Sequence, residues 1–128
     1  MVGKLLAFLF FATIAIQSNG VVIISEFHLS CPNIPWSYYT QILELDDMTE
    51  NDVVAESKET LVNFREELNI LRGVESDDGF FDYLGEVVFR VRSNCTGSWI
   101  WKKSKVQFID LTKKEFDIEN HFDLAVKD

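Results

Sequence analysis

The chain has 128 residues, of which 47% are hydrophobic, and a formal net charge of −9 at pH 7. This length suits one domain with a hydrophobic core, and its eleven phenylalanines exclude an intrinsically disordered chain. An acidic surface repels phosphates, so the composition excludes nucleic acid as the expected partner, and with it adsorption to anionic lipid through a basic patch. The acidity itself is typical of a soluble secreted protein.

The first twenty residues have the pattern of a secretory signal peptide. One positive charge precedes a largely apolar run of twelve residues, 5–16, and small residues at Ser18 and Gly20 mark a cleavage site. Such a run is too short to span a membrane, which takes roughly 20 apolar residues. The alternative interpretation is a buried N-terminal helix or strand. We expect residues 1–20 to be removed and residues 21–128 to form one extracellular domain without a transmembrane segment.

Alternation of apolar and polar residues along the rest of the chain predicts β-strands. In residues 87–95 the apolar side chains of Val87, Phe89 and Val91 fall on one face, and polar or charged side chains fall largely on the other. The other β-rich runs are 21–31, 38–45, 53–57, 80–84, 99–110 and 121–127. About seven short strands separated by turn signals predict an all-β fold, an antiparallel β-sandwich.

Only one passage has helical periodicity. Its apolar residues are spaced by three, four and three positions, which puts them on one face of a helix. They are Leu61, Phe64, Leu68 and Leu71. Gly73 follows as a natural helix stop. We therefore expect one short inserted helix near residues 59–72.

Cys31 and Cys95 are the only cysteines of the chain. In an oxidising compartment such a pair predicts one disulfide, which would stabilise the fold by roughly 4 kcal/mol. A metal pair or a catalytic thiol is the weaker interpretation, because neither cysteine belongs to a C-x-x-C motif. Both lie on the apolar faces of predicted strands, so the bridge would join two sheets through the core. Asn94 faces outward and begins the sequon Asn94-Cys95-Thr96, which makes it a candidate for N-glycosylation.

Acidic residues cluster in the loop that follows the second predicted strand. Asp46, Asp47, Glu50 and Asp52 offer the oxygen ligands that calcium prefers. The spacing of an EF-hand is missing, and solvated turn residues are the more ordinary interpretation. We treat the loop as a weak calcium candidate and expect no cofactor.

Trp99 and Trp101 fall on one face if their segment is a strand. Lys102 and Lys103 follow directly and make the one locally basic stretch of an acidic chain. Exposed tryptophans beside cations are typical of protein-recognition surfaces. Core packing is the alternative for the two tryptophans. If the segment is exposed, it is the best candidate for a contact patch.

The order of these motifs resembles the transthyretin-like family of secreted nematode proteins. The similar segments are Cys31-Pro32, the strand and acidic loop at 42–47, the D-x-D-G-x-F type turn at 76–81 and the strand leading to H-N-C-N at 89–96. Residues 58–73 depart from the family pattern as an insertion. The resemblance implies a Greek-key β-sandwich of transthyretin type and a non-enzymatic role. Its implied partner is a small hydrophobic molecule, a lipid or a cell-surface protein.

Two other functions stay open. One is a structural role in extracellular matrix without a discrete ligand. The other is a secreted hydrolase, since the related fold hosts the hydroxyisourate hydrolases. Those enzymes need several histidines and a Tyr-Arg-Gly-Ser tail, whereas this chain has only His28 and His121 and ends in Leu-Ala-Val-Lys-Asp. Motifs of other enzyme classes are absent as well. No particular oligomeric state is indicated.

Overall fold

The computed structural model describes residues 20–45, 51–76 and 84–127. These residues form nine strands: β1 (Gly20–Ser30), β2 (Trp36–Glu44), β3 (Asp52–Glu56), β4 (Thr60–Val62), β5 (Glu66–Ser76), β6 (Leu84–Ser93), β7 (Ile100–Lys103), β8 (Gln107–Asp110) and β9 (Glu115–Asp123). None of the described residues is helical, and accordingly none belongs to a helix that would cross a membrane. Residues 1–19 of the predicted signal peptide lie outside the described residues.

The strands form two sheets, which confirms the predicted all-β sandwich in its general form. The three-stranded sheet has the order β5-β1-β9, and the six-stranded sheet has the order β3-β2-β6-β7, with β4 also paired to β2 and β8 to β6. One pairing differs from the predicted antiparallel arrangement, because β9 runs parallel to β1. The first and last described strands are therefore neighbours.

Aromatic rings fill the space between the two sheets. Phe27 of β1 meets Phe89 of β6 edge-on, with ring centroids 6.3 Å apart, and stacks on Phe122 of β9 at 6.2 Å. Trp36 and Tyr38 of β2 are also buried, with centroids 5.4 Å apart. Close packing of this kind leaves the interior occupied by the protein's own side chains.

The Cys31–Cys95 disulfide is formed, as the cysteine count predicts. Cys31 directly follows β1 in the three-stranded sheet, and Cys95 lies just beyond β6 in the six-stranded sheet. Both cysteines are buried. The bridge therefore ties the two sheets together through the core.

The predicted helix near residues 59–72 is wrong, because the segment forms β4 and β5. β1 lies at the centre of its sheet, so the backbone groups along both of its edges need partners. β5 supplies one set of partners through eleven residue pairs. Of the four apolar residues with helical spacing, Leu71 is the only one buried. Long-range strand pairing thus outweighs a weak local helix preference.

β5 turns a largely polar face towards the other sheet. The Tyr38 hydroxyl donates a hydrogen bond to Glu67 Oε2 at 3.2 Å, and Thr40 Oγ1 donates one to Asn69 Oδ1 at 2.7 Å. The outward apolar residues of β5 are Leu68, Ile70 and Val74, which are all exposed. The strand is therefore held by polar contacts across the sandwich as well as by its backbone ladder.

Gly73 lets β5 approach β3 closely. A Cβ atom at this position would lie 2.8 Å from Val54 Cγ1 and 3.1 Å from Ala55 Cβ. Glycine is required here by the contact between the two sheets rather than by a turn.

Candidate functional site

Trp99 and Trp101 lie on the outer face of the six-stranded sheet, away from the core. Their exposed fractions are 37% and 38%, so each ring is partly covered and partly open to solvent. β7 pairs with β6 and places Trp101 opposite Arg92, and β2 places Tyr39 opposite Arg92 on its other side. Three strands thus bring aromatic and cationic side chains into one row.

Arginine side chains fill the spaces between these rings. The Arg90 guanidinium lies 4.0 Å from the centroid of Trp101. Arg92 lies 5.8 Å from Trp101 and 6.0 Å from Trp99, and its Nη1 donates to the Tyr39 hydroxyl at 3.3 Å. Tyr39 meets Trp101 edge-on at 5.3 Å. We call Tyr39, Arg90, Arg92, Trp99 and Trp101 the aromatic–arginine surface.

A chain of side-chain hydrogen bonds fixes the orientation of Arg90. Its Nε donates to Gln41 Oε1 at 2.7 Å, and Gln41 Nε2 donates to Glu56 Oε1 at 2.5 Å. Cation–π contacts stabilise by about 0.5–1 kcal/mol at exposed positions and more when desolvated. The cation–π contact and the hydrogen bond to Gln41 therefore hold the guanidinium against Trp101 together.

Arg92 carries an unpaired donor. Its Nε is buried and has no hydrogen-bond partner among the described residues. An unsatisfied buried N–H typically costs about 1–3 kcal/mol. Unsatisfied buried polar groups, which lower the stability of the fold, are found most often at functional sites.

Lys102 and Lys103, both predicted for the contact patch, point in opposite directions. Lys102 is buried, and its Nζ donates to the carbonyl oxygens of Asp123 and Val126. It ties β7 to the C-terminal turn and does not belong to the exposed surface. Lys103 is exposed and lies opposite Arg90 in the β6–β7 ladder, so it adds a third cation at the border of the aromatic–arginine surface.

Asn94 lies at the end of β6, close in sequence to the tryptophans. Its Oδ1 accepts a hydrogen bond from the Ser37 amide at 2.7 Å, while Thr96 of the sequon is exposed in the following turn. Gly97 closes that turn with a φ of 96°, a backbone conformation that suits glycine. Glycosylation of Asn94 stays a prediction.

The candidate calcium ligands fall largely outside the described residues. Asp46, Asp47 and Glu50 are not described, and Asp52 is an exposed residue at the start of β3. The calcium interpretation of this loop stays a prediction.

The two histidines, which belong to opposite ends of the sequence, are neighbours. The parallel register of β1 and β9 pairs His28 with His121, and their rings stack with centroids 4.5 Å apart. They border an open cleft of about 610 Å³ at one end of the three-stranded sheet, which Glu66 and Leu68 of β5 also line.

Sequence reasoning missed three members of the aromatic–arginine surface and the histidine pair. Strand alternation does place Tyr39, Arg90 and Arg92 on outward faces. Their contact with the tryptophans depends on the pairing register between strands, which alternation does not supply. The histidine pair depends in the same way on the parallel register of β1 with β9.

Comparison of the chain with known protein families, with curated proteins and with solved structures finds no match. The fold and the surface define an all-β, disulfide-linked sandwich with an exposed aromatic–arginine surface. The resemblance to the transthyretin-like family rests on the sequence motifs alone.

Proposed function

We propose that the protein is a secreted, non-enzymatic binding protein of transthyretin-like type that contacts a cell-surface protein through its aromatic–arginine surface. The observation that carries this proposal is the exposure of Trp99 and Trp101 on one sheet face, each beside an arginine. Tryptophan, tyrosine and arginine dominate the binding energy of protein interfaces far beyond their frequency.

Secretion is supported by two independent features. The N-terminal segment has the pattern of a signal peptide. The Cys31–Cys95 disulfide is formed between buried cysteines, and such bridges persist in oxidising compartments. We also propose that the two sheets have the Greek-key topology of transthyretin and that residues 21–128 form one domain.

A protein partner is favoured over a small hydrophobic ligand or a lipid. Sites for apolar small molecules are concave and largely apolar, whereas the space between the sheets is filled by rings such as Phe27, Phe89 and Trp36. The aromatic–arginine surface instead stands on three paired strands. Its side chains are already ordered by their mutual contacts, so binding loses little conformational entropy.

The cations indicate the chemistry of the partner. Arg90, Arg92 and Lys103 lie together on a chain whose net charge is −9. Arginine donates bidentate hydrogen bonds to carboxylates. The matching partner surface therefore presents aspartate or glutamate side chains around an apolar centre.

Binding of the secreted protein to intact cells of its source tests this function. The protein is produced in eukaryotic cells, biotinylated at one terminus and presented as a streptavidin tetramer, so that weak binding becomes measurable. We expect Trp101→Ala to reduce saturable binding by about tenfold or more, as for a residue at the centre of an interface. Phe108→Ala is the matched control, because Phe108 is 61% exposed on another strand of the same sheet.

Each outcome of this test bears on the proposal. Equal loss of binding in both variants, or no loss in Trp101→Ala, would overturn the assignment of the surface. Recovery of the protein only in insoluble, cross-linked matrix would favour the structural role instead. A small molecule retained in native mass spectrometry and lost on denaturation would favour the carrier role.

A further inference from the structure

Four side chains with metal-binding groups meet on the outer face of the three-stranded sheet. β1 and β9 run parallel, and their register pairs His28 with His121 and Glu26 with Glu119. Two adjacent rows of the sheet thus present two imidazoles and two carboxylates to solvent. His28 and His121 are the only histidines of the chain, so their meeting is a property of the fold and not of a histidine-rich sequence.

The distances within this group suit ligands of one small cation. One ligand atom each from His28, Glu119 and His121 lies within 4.8 Å of the other two. Nε2 of His28 lies 3.4 Å from Glu26 Oε2, and Nε2 of His121 lies 3.6 Å from Glu119 Oε2. Most N–H···O hydrogen bonds are shorter, at about 2.7–3.2 Å.

Tetrahedral zinc predicts separations of this size. Zinc binds imidazole nitrogen and carboxylate oxygen at about 2.0–2.2 Å, so two of its ligand atoms lie about 3.3–3.5 Å apart. The two carboxylate–imidazole distances are already close to this value. We propose that His28, His121 and Glu119 bind a divalent transition-metal ion of the Zn²⁺ type, with Glu26 supplying or orienting a fourth group.

Binding requires the side chains to move, and the exposed ones are free to do so. The imidazole rings stack face to face, with their planes 13° apart, while ring nitrogens bind metals in the ring plane. One ring must therefore tilt. The side chain of His121 is 68% exposed and that of Glu119 is 64% exposed, whereas the side chain of His28 is only 37% exposed.

The ligand types select the metal class. Imidazole nitrogen suits zinc, copper and nickel, whereas calcium and magnesium take oxygen ligands. Two imidazoles beside carboxylates therefore favour Zn²⁺ over Ca²⁺. The bound ion would link β1 to β9, which forms one edge of its sheet, and would bind the folded chain alone, since the unfolded chain separates the two histidines by more than ninety residues.

Titration of the tag-free protein with Zn²⁺, followed by NMR of the imidazole signals, tests the site. Two histidines give two sets of signals, which can be followed individually. We expect both sets to shift together and to saturate at one Zn²⁺ per chain, whereas Ca²⁺ leaves them unchanged. Thermal unfolding with Zn²⁺ present gives a second readout, because a ligand of the folded state raises Tm.

The variants distinguish a built site from a generally acidic surface. His121→Gln is expected to abolish saturable binding. Glu119→Gln removes one proposed ligand at an exposed position and is expected to weaken binding by at least about 10–100-fold, the loss that a residue orienting a metal ligand already causes. Asp117→Asn is the matched control, because Asp117 lies two residues away on β9, faces the same side and is exposed. It is expected to bind Zn²⁺ as the wild type does.

Three results would overturn the proposal. They are imidazole shifts that do not saturate, histidines that respond at different Zn²⁺ concentrations, and equal weakening in Glu119→Gln and Asp117→Asn. Matching spectra of the metal-free variants establish that each one is folded before its affinity is compared. These results leave the proposed role of the aromatic–arginine surface untouched, since that surface lies on the other sheet.

Discussion

The two outer faces of the sandwich are organised in different ways. On the six-stranded sheet, the rings of Trp101 and Tyr39 are packed against arginines whose positions are fixed by hydrogen bonds. On the three-stranded sheet, His121 and Glu119 are about two thirds exposed, although the His121 ring also stacks on His28. The first face is ordered before any partner arrives, whereas the second gains its order from what binds there. A surface that is already ordered loses little conformational entropy when it binds a protein, whereas the exposed ligand groups must be ordered when an ion binds.

The largest expected effect is on the free energy of unfolding, through the disulfide that joins the two sheets. Cys31→Ala combined with Cys95→Ala removes the disulfide between the sheets, and we expect the free energy of unfolding to fall by about 4 kcal/mol, as for a closed loop of this length. Urea denaturation of the double variant and the wild type measures the difference. A loss below about 1 kcal/mol would show that the packed rings alone hold the sheets together.

The next largest effect tests the close approach of β5 and β3. Gly73→Ala places a methyl group 2.8 Å from Val54 Cγ1, so the Val54 side chain or one of the strands must shift, and overpacking of this kind costs about 1–3 kcal/mol. Val74→Ala is the control on the same strand, since Val74 faces solvent. We expect thermal unfolding to show a lower Tm for Gly73→Ala than for Val74→Ala. The opposite order would mean that the sheets are not in contact along β5.

A third prediction concerns Tyr38, which joins the sheets through Glu67. Burial, and then repulsion by the Glu67 carboxylate, raises the pKa of Tyr38 from 10.0 to about 12. Above pH 10 the unfolded chain loses this proton while the folded chain keeps it, so stability falls as pH rises from 10 towards 12. Tyr38→Phe removes this contribution, and its stability is expected to decline less steeply over that range.

Absorbance at 295 nm reports the same group directly. The chain has three tyrosines, and we expect one of them to ionise near pH 12 in the folded wild type and to be missing from the titration of Tyr38→Phe. Ionisation of all three tyrosines in a single step near pH 10 would contradict a buried hydroxyl beside Glu67. Circular dichroism at each pH establishes that the chain is still folded.

The strands that sequence patterns predict well are those whose apolar side chains face the core and whose polar side chains face solvent. β1 and β6 turn apolar residues such as Phe27 and Phe89 inward, so alternation identifies them and places both cysteines in the core. β5 reverses the rule, because Glu67 and Asn69 face the other sheet while Leu68 faces solvent. The polar contacts of β5 with the other sheet cannot be read from the sequence. The sequence pattern of this segment therefore indicates only its helical spacing, which the fold does not use.

Neither candidate site is visible in one strand alone. The aromatic–arginine surface combines Tyr39, Arg92 and Trp101 from three strands, and the zinc candidates come from the first and the last described strands. A sequence pattern states which side a residue faces, whereas the register between strands decides which residues meet. The Trp99–Trp101 pair and the neighbouring Lys103 are local enough to be predicted, and they are the parts of the two sites that the sequence indicated.

The smallest expected effect separates the two faces most directly. A double-mutant cycle with Arg90→Ala and Trp101→Ala measures the coupling between guanidinium and ring, which we expect to be about 0.5–1 kcal/mol in favour of the folded state. The matching cycle with Glu119→Gln and His121→Gln in metal-free buffer is expected to give no measurable coupling, because exposed pairs contribute little. Zn²⁺ should create coupling in the second cycle and leave the first unchanged. Equal coupling in both cycles without metal would mean that the two faces are ordered to the same degree, and the distinction between a prearranged surface and an ion-dependent one would be lost.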